Sequence, residues 1–213
     1  MGLVFSSLWS SLFGSKQRKV VIVGLDNAGK TSILYRLNLG AGGGEQAAEQ
    51  ARPEGDAQGE AAKPVPIQTV PTIGANVERL RIASVEMECW DLGGQSSIRT
   101  TWASYFQNMD ALVLVVDACD RLRIGLVKEE LFALLQHEKL RESGLLLILA
   151  NKQDAEGAMP PEVISEELQL HRIEKTEWHI QGSSAVTGVG LREGFEWLAG
   201  KVRANDGRGA RAT

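Results

Sequence analysis

Residues 19–31, KVVIVGLDNAGKT, decide how the chain folds. Val20 to Val23 are four β-branched residues in a row, the mark of a short strand buried on both faces. The spacing Gly24-x4-Gly29-Lys30-Thr31 follows at once, and Ile33, Leu34 and Leu37 then recur at helical spacing through Leu39. Strand, Gly-rich turn and helix in this order form a phosphate cradle. Backbone N–H groups across Asp26, Asn27, Ala28 and Gly29 can curl around phosphate oxygens, and the helix N-terminus at Lys30 to Ser32 adds positive potential. In such a cradle Lys30 pairs with β- and γ-phosphates and the Thr31 hydroxyl ligates Mg²⁺.

Outward from this core the pattern repeats. ALVLVVDA (111–118) and LLLILANK (145–152) read as two more buried strands, and residues 126–140 and a last helix carrying Leu191, Phe195, Leu198 and Val202 read as their covers. Continuous apolar strands alternating with helices predict a parallel sheet covered on both faces. ANVERLRIASVEMECWDL (75–92) reads instead as two strands with a tight connection, an antiparallel hairpin at the sheet edge. The 213 residues are 43% hydrophobic and 23% charged, the composition of one globular domain with appendages. A net charge of −4 gives no general attraction to nucleic acid, and none is expected as a partner. The 2 cysteines, Cys89 and Cys119, both fall in strand-like apolar surroundings and suit a reducing compartment. His137, His171 and His179 lack metal-ligand spacing and read as surface residues.

Three further segments identify the ligand of the cradle. In WDLGGQ (90–95), Asp91 can hold Mg²⁺ through water, the Gly94 N–H can reach a γ-phosphate, and Gln95 can orient an attacking water. In NKQD (151–154), the Asp154 carboxylate accepts only from a base edge bearing N–H donors, which guanine has and adenine lacks. The Lys152 stem can lie along the ring, Asn151 can tie loops together, and SSAVTG (183–188) adds Ser184 to the nucleotide site and can present the Ala185 N–H to the guanine carbonyl. TVPTIG (69–74) offers Thr72 to Mg²⁺ when a γ-phosphate draws its loop inward. The predicted ligands are therefore GTP or GDP with Mg²⁺, and the predicted chemistry is in-line attack of water on the γ-phosphate, aided by Gln95 and Lys30. No Arg lies in IQTVPTIGAN, so turnover should depend on an activating protein. A P-loop phosphotransferase would need an acceptor lid, which no segment supplies; a guanine-nucleotide-binding scaffold that scarcely hydrolyses is the second alternative.

GLDNAGKTSILYRL, VPTIGANVE, WDLGGQSSIR, YFQN and NKQD, with Gly2 near the start, resemble the Arf and Arf-like small GTPases over essentially the whole chain except 41–64 and the tail. The resemblance implies a Ras-like α/β fold with a mostly parallel six-stranded sheet, one antiparallel edge hairpin and helices on both faces. It also implies an exchange factor, an activating protein, and tethering or coat effectors for vesicle traffic. The implied location is the cytoplasm and the cytosolic face of the Golgi, on the trans side. In that family the hairpin slides on GTP binding and ejects the N-terminal helix. Family members carry an aromatic where this chain has Ala75, beside Trp90 and Tyr105, which together form an apolar effector patch.

Residues 1–16, MGLVFSSLWSSLFGSK, read as an amphipathic membrane helix with Phe5, Leu8, Trp9 and Leu12 on one face. M-G-x-x-x-S makes Gly2 a myristoylation candidate. One acyl chain binds only marginally, so the buried apolar face supplies the second contribution. The domain proper is expected at 17–203. It contains a disordered insertion, 41–64, with no apolar side chain larger than Ala, and it is followed by a disordered tail, 204–213.

Overall fold

The computed structural model of the protein describes residues 17–40 and 69–209. The N-terminal segment with Gly2, the 41–64 insertion and residues 210–213 lie outside the described residues. Six strands form one sheet in the order β2-β3-β1-β4-β5-β6: β1 (Arg18–Val23), β2 (Ala75–Ile82), β3 (Val85–Leu92), β4 (Ala111–Asp117), β5 (Leu145–Asn151) and β6 (Glu177–Gly182). Only the β2–β3 edge pair is antiparallel; the remaining pairs are parallel, as the apolar runs predict.

Alternation along the central strands divides the core into two layers. Val20 and Ile22, Val113 and Val115, and Leu147 and Leu149 pack against Ile33 and Leu34 of α1 (Lys30–Gly40) and against Phe195, Leu198 and Val202 of α6 (Leu191–Gly209). Val21 and Val23, Leu112 and Leu114, and Leu146 and Ile148 point the other way. They meet Trp102, Phe106, Leu131 of α3 (Ile124–Leu135) and Ile164 of α5 (Pro161–Glu167). The short α2 (Ser96–Arg99) and α4 (Glu138–Ser143) complete the α-helices among the described residues. The β2–β3 turn has Ala83 and Ser84 at φ 48° and 65°, the left-handed pair that a two-residue hairpin demands, and Arg203 Nη1 of α6 reaches the Ala83 carbonyl at 3.4 Å.

Four local expectations change. The single helix expected over 126–140 breaks at Gln136 and His137. His137 takes an extended conformation (ψ 131°), its ring nitrogen accepts from the Lys139 N–H, and its ring meets Phe106 edge-on at 5.1 Å. A tertiary ring contact and a cap outweigh a continuous helical pattern. Cys119 is exposed in the turn after β4, because the apolar run ends at the strand and not at the thiol; Cys89 is buried in β3. His179 is half-buried, stacked on Trp197 with centroids 5.1 Å apart, so of the three histidines only His171 is exposed. Helical backbone continues through 204–209, beyond the expected end of the domain, since i to i−4 bonding can propagate past the last core contact at Val202.

The order of strands places the site. The chain leaves β1 for the β2–β3 hairpin on one side and crosses from β3 to β4 on the other side of β1, a switch point at which the carboxyl ends of parallel strands open a crevice.

Candidate nucleotide site

A cavity of about 700 Å³ opens at those carboxyl ends, within the size range of small-molecule sites. Asp26, Asn27, Gly29, Lys30, Thr31 and Ser32 line it from the β1–α1 turn, and Thr72, Gly94 and Gln95 from the segments flanking the hairpin. Asn151, Lys152, Asp154 and Ala185 close it from the β5 and β6 ends. Thr69, Val70 and Pro71 of TVPTIG and Val186 of SSAVTG also line it without an expected role of their own, and Ala155 lines it from outside every motif. Gly24, Ala28, Asp91 and Ser184 stand behind the wall rather than in it, because each is needed there to hold a lining residue.

Backbone geometry explains the glycines. A Cβ on Gly29 (φ 95°) would lie 2.4 Å from Asn151 Nδ2, and one on Gly94 would lie 2.4 Å from the Asp26 nitrogen. Both glycines let a second segment lie directly on the β1–α1 turn.

At the phosphate end Lys30 is 6% exposed and its Nζ donates to the Gly24 and Leu25 carbonyls at 2.9 Å each. Burial lowers its pKa to about 8, opposed by the carboxylates of Asp91 and Asp26. The ammonium therefore stays charged at neutral pH in a setting that favours an anion beside it. Arg123 Nη1 pairs with Asp26 Oδ1 at 2.9 Å while its Nε holds Asp120, a clamp on the turn that no motif announces.

Three oxygens converge beside Lys30. Thr31 Oγ1 donates to Asp91 Oδ2 at 2.5 Å, Thr72 Oγ1 lies 3.1 Å from Thr31 Oγ1, and Thr72 also reaches Asp91 Oδ2 at 3.4 Å. Asp91 is fully buried, and burial raises its pKa above the ordinary carboxylate value against the pull of the Thr31 hydrogen bond and Lys30. Its Oδ1 is buried and has no hydrogen-bond partner. An orphaned carboxylate oxygen beside two hydroxyls is the hard oxygen set that suits Mg²⁺, so these residues fit that ion.

At the other end Asn151 is buried and bridges two loops: Nδ2 donates to the Ala28 carbonyl at 2.8 Å and Oδ1 accepts from the Ala185 N–H at 3.0 Å. The N–H expected to face a base carbonyl is donated to Asn151 in this structure. Loop closure inside the protein competes for the same donor. Ser184 Oγ donates to Asp154 Oδ1 and accepts from the Thr187 N–H, leaving the other Asp154 oxygen for a ligand. Lys152, at φ 70°, ion-pairs through Nζ with Asp117 at 2.6 Å.

On the outer face Trp90 and Tyr105 lie with ring centroids 5.9 Å apart, and Ala75 packs on the same layer as both. Lys19 Nζ sits 4.7 Å above the Trp90 ring, a cation contact not foreseen from sequence.

The profile of the ADP-ribosylation factor family matches residues 5–46 and 62–202. The chain belongs to the ADP-ribosylation factor family. It is 41% identical over 207 residues to ADP-ribosylation factor 1 of Brassica rapa subsp. pekinensis, covering 97% of this chain and 100% of that protein. It is 41% identical over 203 residues to ADP-ribosylation factor-like protein 5A of Bos taurus, covering 95% and 99% of the two chains. A solved structure of the Arl6 BBS3 small GTPase from Trypanosoma brucei, with bound nucleotide analogue GppNp, superposes with a TM-score of 0.70 at 32% identity. It covers 89% of this chain and 99% of that one. As a member of this family the protein is a small GTPase, binding guanine nucleotide and hydrolysing GTP, and it has the Ras-like fold that its sheet displays.

Proposed function

We propose that this GTPase is a membrane-recruitment switch. In its GTP form the N-terminal segment, acylated at Gly2, enters the cytosolic face of Golgi membrane, and effectors for vesicle traffic dock on the Ala75, Trp90 and Tyr105 surface. One observation carries the reading. The segment bearing Thr72 leaves Val70 and Ile73 83% and 89% exposed, and its inward contacts include the Thr72 hydroxyl at Thr31 and Asp91 and the Gly74 carbonyl accepting from the Gly93 N–H. A loop so lightly attached responds to what sits at the Thr31–Asp91 corner, and it leads directly into β2 at the sheet edge.

In this reading Lys30 neutralises the β- and γ-phosphates, and the N–H groups of 26–31 with that of Gly94 hold their oxygens. Thr31, Thr72 and, through water, Asp91 would hold Mg²⁺, which when bound supplies positive charge to the phosphate oxygens. The free oxygen of Asp154 takes the guanine N–H donors, Lys152 covers the ring, and Ala185 walls the base. Gln95 orients the attacking water; its side chain makes no hydrogen bond within the protein among the described residues, so it is free to turn to the ligand. No arginine lines the cavity among the described residues, and Arg123 ends on Asp26 and Asp120. An activating protein is therefore expected to supply the missing cation, and an exchange factor to release GDP.

Flotation of the acylated full chain with anionic vesicles tests the switch. At least tenfold more protein should float with a GTP analogue than with GDP, and equal flotation in the two states would end the proposal. Thr31→Asn should weaken Mg²⁺-dependent GTP binding by about 10²-fold while sparing GDP more, since the hydroxyl at the metal corner is replaced by an amide that cannot reproduce it. Competition titrations with and without EDTA read this directly, and a GTP-to-GDP preference equal to that of the parent chain would remove Thr31 from the metal site.

A further inference from the structure

We propose that Arg36 is a positioning residue for the base-binding loop, holding it to the helix that carries the phosphate cradle. The inference rests on the reading of the cavity as a guanine-nucleotide site and adds a residue to which the sequence analysis gives no role. Arg36 is on α1, just over one turn beyond Thr31, and half-buried. Its Nε donates to the Ala185 carbonyl at 3.1 Å, and its Nη2 donates to the Val186 carbonyl. Ala185 and Val186 both line the cavity. The Arg36 stem lies under Gly188, whose φ is 86° and where a Cβ would touch Arg36 Cδ at 3.6 Å.

The Ala185 residue is thus held from two sides. Its N–H donates to Asn151 Oδ1, and Asn151 in turn donates to the Ala28 carbonyl in the cradle; its carbonyl accepts from Arg36. Within the loop, the Gly188 N–H donates to the Ser184 carbonyl and the Thr187 N–H to Ser184 Oγ. Those bonds shape the turn, and only contacts leaving the loop fix where the turn sits. A guanidinium fork matched to two adjacent carbonyls orders the wall before ligand arrives, which removes an ordering cost from binding. Because Arg36 and Thr31 share one helix, a displacement of α1 also releases the base wall.

The test is the dissociation rate of fluorescent GDP from the full chain, with Mg²⁺ present, in the parent protein, Arg36→Ala, Arg36→Lys and Asp154→Asn. The preference for GDP over inosine diphosphate, which lacks the 2-amino group, is measured alongside. Arg36→Ala should speed dissociation about tenfold and Arg36→Lys about threefold, since an ammonium keeps the charge and loses the fork. In both Arg36 variants the preference for GDP over inosine diphosphate should stay within twofold of the parent, because Asp154 still reads the 2-amino group. Asp154→Asn should collapse that preference.

Dissociation within twofold of the parent in the Arg36 variants, with Asp154→Asn selective as expected, overturns the inference and leaves the site standing. A lower melting temperature with unchanged dissociation does the same, assigning Arg36 to the fold alone. An intact preference in Asp154→Asn overturns the site reading and this inference with it. Should Arg36→Ala not fold, Arg36→Lys decides between these outcomes.

Discussion

Lys30→Ala is expected to lower affinity for both GDP and GTP about 10³-fold while moving the melting temperature of the nucleotide-free protein by no more than a few degrees. The ammonium is buried and donates to two backbone carbonyls of its own turn, and burial has already brought its pKa down to about 8. Such a cation contributes little to the empty fold, because desolvation opposes what its hydrogen bonds supply. Its contribution appears when phosphate oxygens arrive. Charge-assisted hydrogen bonds are each worth about 1.5–3 kcal/mol, so two of them lost give roughly three powers of ten in the dissociation constant. Equilibrium titration with fluorescent nucleotide, paired with thermal melts of the nucleotide-free chain, separates the two effects. A dissociation constant within threefold of the parent would place the phosphates somewhere other than this end of the cavity.

Gln95→Leu should leave nucleotide affinity within twofold of the parent and lower phosphate release stimulated by an Arf-family activating protein by about 10²-fold. Gln95 borders the cavity beside Gly94, immediately before α2, and its amide has no partner within the protein among the described residues. Nothing in the fold or in ground-state binding depends on it. Leucine matches its bulk and lacks the donor and acceptor needed to orient water, so the loss falls on the hydrolysis step, in the range seen when one transition-state contact is removed. Single-turnover phosphate release with and without the activator gives the two rates. Full stimulation in the leucine variant would assign the water to another group.

How much of this was legible beforehand depends on whether the controlling contacts are local in sequence. The cradle from Gly24 to Thr31 could be read directly, because strand, tight turn and helix start are each dictated by neighbours within a few residues. β4 and β5 were equally plain, since full burial on both faces requires an unbroken apolar run. β6 has no comparable signal, because Glu177 is exposed, Trp178–Gly182 are half-buried at the sheet edge, and the segment alternates too weakly to stand out. The break at His137 escaped detection for a related reason: its cause, Phe106, lies on a different element.

The sequence alone determined which chemistry the chain can carry: a lysine and a threonine at the mouth of a Gly-rich turn, an aspartate at the end of β3, an asparagine at the end of β5 and an aspartate just beyond it. Local spacing suffices for that. Tertiary structure decided how those groups are used. It joined Thr31, Thr72 and Asp91 into one corner, committed the Ala185 N–H to Asn151, set Arg123 on Asp26, and laid the Ala185–Gly188 loop on Arg36. Each of these is a contact between segments far apart in the chain, fixed by the order of strands in the sheet and by the closeness that glycine allows at positions 29 and 94.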